Sequence, residues 1–199
     1  MYCDKEETAN GDIYINDNIY EQRIEMISAP KIQFVMDVFH KLQLKVDSWL
    51  DIGCGGGDIL WWLDHNYNIR TEGIESDKYE YQFAVSKGLS VSNLYIDLNI
   101  CNPQIDSIIH RNDVISFFNV LEHIEDPVKS IDYIFNCMHK GAIMVFEVPR
   151  HPSVASFANL TCKDGAYRHI VPPIHLQIFT MKVFDFHSMD GHAARPTAG

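Results

Sequence analysis

The chain has 199 residues, 46% hydrophobic and 22% charged, which suits one globular domain with a full sheet-and-helix core. Its 27 acidic residues against 16 basic ones leave a formal charge of -11, and with no basic cluster to offset it a nucleic-acid partner is disfavoured. The five cysteines (Cys3, Cys54, Cys101, Cys137, Cys162) form no C-x-x-C pair and no His/Cys cluster at metal-ligand spacing, so reduced thiols in a cytoplasmic protein and no metal are expected.

The N-terminus, Met1 to Glu7, lacks the basic and apolar regions of a signal peptide, and no apolar run approaches the ~20 residues needed to span a bilayer. Residues 1–28 read as a polar lead-in with at most a short helix. Ser28 is the expected N-cap of an amphipathic helix over 29–42, with Pro30 in its first turn and Ile32, Val35, Met36, Phe39 and Leu42 on its apolar stripe. Val46 to Ile52 follows as the first strand.

A second helix runs from the end of a glycine-rich turn to about Asp64, and Ile69 to Glu75 is the second strand. A helix over 77–87 stops at Gly88, and Leu89 to Asp97 is the third strand. Asp113 to Phe118 has the Val-Ile-Ser-Phe-Phe run of a strand buried on both faces. Asp126 and Pro127 open a helix that closes at Lys140 and Gly141, and Ala142 to Val148 is the fifth strand. This alternation predicts an α/β fold, a doubly wound and mostly parallel sheet with helices on both faces.

In such a sheet the ligand lies at the carboxyl ends of the strands. The first strand ends in Asp51, then glycine recurs at 53, 55 and 57 before the helix begins. Such a turn brings backbone N–H groups against a ligand. A dinucleotide fingerprint would need glycine at 53, 55 and 58, and position 58 is aspartate. Cys54, inside the turn, has no neighbouring base and reads as a small filler.

Strand two ends at Glu75, 22 residues beyond Gly53, where a carboxylate can accept the hydroxyl protons of a ribose; the alternative is that Glu75 and Ser76 cap the next helix. Strand three ends at Asp97 and Leu98, an acid for an exocyclic amine and an apolar side chain for a ring. Strand four leads into Asn119-Val120-Leu121-Glu122-His123-Ile124, then Glu125-Asp126-Pro127.

Taken in this order, Asp51 to Gly57, Glu75, Asp97 and the Leu121-Glu122-His123 stretch resemble the class I S-adenosylmethionine-dependent methyltransferases, in the subgroup with many small-molecule O-, N- and C-methyltransferases. The resemblance covers about residues 30–180. It implies a seven-stranded Rossmann-like sheet and S-adenosylmethionine as cofactor. The methionine part would meet the Gly53 and Gly55 backbone and residues near Asn119, with Val120 and Leu121 alongside. Glu75 and Ser76 would take the ribose, and Asp97 and Leu98 the adenine.

His123 is then the candidate catalytic base, because imidazole titrates near neutrality; the alternative is that Glu122 and His123 only shape the pocket. After the fifth strand, similar proteins carry an insert over the substrate, so Arg150, His151, Tyr167, His169 and His175 are candidates for substrate contact. Asn102-Pro103-Gln104 is similar to the Asn-Pro-Pro-Tyr loop of adenine amino-group methyltransferases. It follows the wrong strand and lacks the second proline and the aromatic.

Only residues 181–199 follow Thr180, where the family places a helix and two further strands. The sequence therefore predicts a domain over 29–188 without strands six and seven, and a tail over 189–199 foreign to the family. Methyl transfer to a small molecule is the leading reading. A non-catalytic binding module or inactive fragment, a nucleotide-dependent oxidoreductase and a macromolecular acceptor are its rivals. The oligomeric state and the acceptor atom are not encoded in any motif.

Overall fold

The computed structural model describes residues 17–96 and 102–149. Asp97, Leu98, the substrate candidates Arg150, His151, Tyr167, His169 and His175, the region expected to lack strands six and seven, and the tail over 189–199 all lie outside the described residues. Within the described residues the chain forms two compact units: 17–118 with Tyr133–Phe146, and Asn119–Asp132 with 147–149.

The strands are β1 (Ser48–Ile52), β2 (Arg70–Ile74), β3 (Val91–Ser92), β4 (Val114–Phe118) and β5 (Ile143–Glu147). They make a parallel sheet of order β3-β2-β1-β4-β5. The order reverses between β1 and β4, which places the switch point there. β1 is paired on both sides, Asp51 standing opposite Gly73 on β2 and opposite Ser116 on β4. All five of its residues are buried, as expected of a central parallel strand.

The helices are α1 (Asp17–Arg23), α2 (Ala29–Lys41), α3 (Asp58–Asn66), α4 (Lys78–Ser86), α5 (Pro103–His110) and α6 (Pro127–Cys137). Ile32 and Phe39 of α2 pack with Ile59 and Leu63 of α3 against Trp49, Ile69 and Val114. A second cluster joins Cys54, Leu60, Ala84 and Leu89. Gly73 lets α3 approach β2: a Cβ there would lie 2.6 Å from Cys54 Sγ and 2.7 Å from Leu60 Cδ1.

Several elements differ from the sequence reading. Residues 17–28 are helical, and a π turn over Ile24–Ser28 joins α1 to α2. The π turn sits just ahead of Pro30, whose missing N–H interrupts the α-helical ladder without ending the helix. Ser28 is therefore no N-cap: its backbone is helical, and its hydroxyl bonds elsewhere.

α5 is absent from the elements that the sequence predicts. Asn102 is its N-cap, accepting from the amides of Gln104 and Ile105, with Pro103 in the first turn and Ile105, Ile108 and Ile109 buried. The third strand is short because β3 pairs only with Gly73 and Ile74. Asn93 then turns its amide onto the carbonyls of Glu75 and Ser76.

In the second unit, Asp126 caps the start of α6 by accepting from the Lys129 amide at 3.0 Å. Leu121–His123 form one 3-10 turn with Leu121 and Glu122 buried.

Candidate active site

The glycine turn after β1 is a tight left-handed ribbon, with φ of 70° at Gly53, 54° at Gly55 and 79° at Gly57. This is why glycine recurs at alternate positions: other L-residues are strained there. The N–H groups of Gly53 and Cys54 both donate to the Ile74 carbonyl at the end of β2, at 2.8 and 3.2 Å. Gly55 N–H donates to Glu75 Oε2 at 2.8 Å, and the amide of Asp77 donates to Glu75 Oε1 at 2.7 Å.

Glu75 is thus buried and clamped at both oxygens, with lone pairs left for hydroxyl donors. Helix α4 is capped instead by Asp77, which accepts from the amides of Tyr79 and Glu80. The amides of Gly53 and Gly55 are engaged within the protein. The same turn therefore offers a ligand carbonyls and nearby carboxylates more than those two N–H groups.

Those carboxylates cluster. Asp51 at the end of β1 is 2% exposed and accepts from the Ser116 hydroxyl at 2.6 Å, while Trp49 Nε1 donates to Ser116 Oγ at 2.7 Å. Burial pushes the Asp51 carboxyl up to about 7; the Ser116 hydrogen bond and Lys31 oppose this, while the charges of Asp58 and Glu75 add to it. Glu80 reaches the turn from α4, and a Cβ on Gly55 would lie 2.8 Å from its Oε2. Such a ring of acids suits a cationic ligand. Cys54 is buried, its thiol pushed well above the usual range chiefly by that burial, which fits a packing role.

Residues the sequence did not single out come from α1 and the π turn. Asp58, at the start of α3, accepts from the Ser28 hydroxyl at 2.6 Å and lies 3.4 Å from Arg23 Nη2. Tyr20, one turn before Arg23, is 4% exposed and sets its ring edge-on to Phe83 at 5.1 Å. A Cβ on Gly56 would lie 3.7 Å from the Tyr20 ring. No local pattern in residues 17–28 signals this arrangement.

In the second unit, Asn119 has a φ of 57°, rare outside glycine, and its N–H donates to the Glu147 carbonyl at 2.9 Å. Val120 precedes the 3-10 turn, and the half-buried His123 closes it, its N–H donating to the Val120 carbonyl at 2.9 Å. Ser76 is exposed, and its carbonyl accepts from Asn93. Among the described residues no group of three or more His, Cys, Asp or Glu side chains could hold a metal ion.

The model of a family described as "Methyltransferase domain" matches residues 22–182. Solved structures with the same fold include an S-adenosylmethionine-dependent methyltransferase from Clostridium acetobutylicum ATCC 824, 19% identical with a TM-score of 0.51, covering 66% of this chain and 55% of that one. Streptomyces venezuelae DesVI is 14% identical with a TM-score of 0.55, covering 74% of this chain and 60% of that one. The sugar N-methyltransferase KedS8 from Streptoalloteichus sp ATCC 53650 is 15% identical with a TM-score of 0.55, covering 76% and 58%. The chain thus spans less than two-thirds of each of these structures. No curated protein matches it significantly. The match over residues 22–182, on a parallel sheet with its glycine turn at the switch point, shows that the chain belongs to the methyltransferase-domain family, whose methyl donor is S-adenosylmethionine.

Proposed function

We propose that this chain transfers a methyl group from S-adenosylmethionine to a small-molecule acceptor in the cytoplasm. The observation that carries the reading is the clamp between Gly55 and Glu75, which fixes a buried carboxylate beside the glycine turn. Both Glu75 oxygens are held by backbone amides, so their remaining lone pairs are aimed and can accept the two ribose hydroxyls. Glu75 and Glu80 set negative charge beside the turn, which favours the cationic methyl donor. Asp97 and Leu98 would receive the adenine, and Asn119, Val120 and Leu121 would flank the methionine part.

The donor's sulfonium already activates the methyl group, so the protein's work is alignment and exclusion of water. His123 would take a proton from the acceptor, and Arg150, His151, Tyr167, His169 and His175 would contact it. A formal charge of -11 favours a neutral or cationic small acceptor over a phosphate backbone. The fold is shared with a protein named as a sugar N-methyltransferase, which makes amino sugars sensible first candidates.

Calorimetry with S-adenosylhomocysteine and with NAD tests the donor. Binding of the first alone is expected, and binding of NAD alone would overturn the reading. Failure on a broad acceptor panel despite tight S-adenosylhomocysteine binding would favour a non-catalytic module.

A further inference from the structure

Helix α2 is apolar on both of its faces. The inner face buries Ile32 and Phe39 in the core, as an amphipathic helix should. The outer face should then be polar, and it is not. Phe34 is 70% exposed, Met26 77% and Leu42 63%, with Ile27 and Leu44 also open to solvent. Ile27, Pro30, Phe34 and Val38 recur at helical spacing, so they form one ridge along the outside of the π turn and α2, with Met26 and Leu42 flanking its two ends.

With large side chains of roughly 150–200 Å² each, the ridge leaves about 500 Å² of apolar surface in water, at the upper end of what a monomer shows. Its charge also differs from that of the chain. Between residues 25 and 42, Glu25 and Asp37 are matched by Lys31 and Lys41, so the ridge is neutral while the chain carries -11. A basic partner finds no acidic surplus here, and an anionic lipid surface finds no basic one. A second copy of the chain, repelled by charge elsewhere, meets no such repulsion on this face. Two ridges laid together would bury about 1,000 Å² of apolar area, and about 1,200 Å² with the polar residues between them, the lower bound for a specific interface.

We propose that this ridge is a homodimer interface, in which α2 packs antiparallel against the same helix of a second copy about a two-fold axis beside Phe34. Phe34 stands near the middle of α2, so an axis crossing there pairs the whole ridge with itself and sets Phe34 against its own counterpart. The antiparallel arrangement also opposes the two helix dipoles.

Sedimentation velocity over a concentration series should show a reversible dimer with a dissociation constant on the order of 10 μM, the weak range that suits so small an interface. Phe34→Asp should weaken the dimer at least about tenfold by setting like charges beside the axis, and Phe34→Lys should do the same. Mixing the two variants should restore a dimer containing one of each, because position 34 meets itself. Phe34 is exposed, so both variants should keep the native melting temperature at low concentration. They should lose the rise that dimerisation gives the native chain at high concentration. A native chain still monomeric at about 100 μM, tenfold above that constant, would overturn the proposal. So would a dimer that survives Phe34→Asp, or a mixture of the two variants that stays monomeric. A monomer that sediments with anionic phospholipid vesicles would make the ridge a membrane contact and overturn it as well.

Discussion

The two ends of the sheet use charge in opposite ways. Toward the amino ends of the strands, mid-strand Glu72 receives N–H donors from Arg70 at 2.7 Å, Asn112 at 2.8 Å and Arg111 Nε at 2.9 Å. Burial works to raise its pKa, but the hydrogen bonds from Arg111, Asn112 and Arg70 prevail and hold it below the usual value. Asp113 behaves alike: burial raises it, and bonds from the Asp47 amide and from Ser48 overcome that. At the carboxyl ends, Asp51 is raised, Glu75 is held by two backbone amides, and the Tyr20 hydroxyl has no partner among the described residues. One end spends its polar groups on the fold, while the other keeps valences open for a ligand.

The sharpest break of this contrast is Glu75→Ala, expected to weaken S-adenosylhomocysteine roughly 100-fold by removing two charge-assisted hydrogen bonds. Calorimetry measures it; a loss under threefold would mean that the clamp serves only the turn. Next comes Gly73→Ala, where the added Cβ presses on Cys54 and Leu60 inside the core. A chemical denaturation series should show a loss of about 1–3 kcal/mol.

Glu72→Gln should lower stability by about 1 kcal/mol while leaving S-adenosylhomocysteine affinity within twofold, the reverse of Glu75→Ala. Smaller again is a pH signature. The folded pKa of Asp51, about 7, lies above the unfolded value of about 3.9. Its contribution to stability is therefore complete below about pH 4 and falls as pH rises to about 7. Glu72 and Asp113 are lowered, so theirs is present above the ordinary carboxylate value and lost as pH falls through the folded one. Asp51→Asn should gain on the native chain in denaturation midpoints between pH 5 and 8, and a flat difference would refute the raised pKa. Lys45→Ala, which breaks an exposed pair with Asp47 at 2.9 Å, should leave the melting temperature unchanged.

The glycine turn and the central strands were legible because their signals are local. Alternate glycines need left-handed φ, and a run such as Val114 to Phe118 is too apolar to lie outside a core. α5 is also written locally, in Asn102, Pro103 and the Ile105, Ile108, Ile109 spacing, but eight residues hold too few turns for that period to stand out from a loop. Ser28 looked like a cap from its neighbours alone, yet a partner 30 residues away claims its hydroxyl. The placing of Tyr20 and Arg23 over the turn depends on how α1 docks, which no pattern within residues 17–28 specifies.

Trp49 has a practical consequence. Of the three tryptophans it alone is wholly excluded from solvent, and its indole N–H leads through Ser116 to Asp51. Blue-shifted emission selected at the red edge of excitation would thus respond to a charge appearing two hydrogen bonds away. The protein carries its own optical indicator one serine away from the Asp51 carboxyl, readable without a label during a pH titration or a ligand mixing experiment.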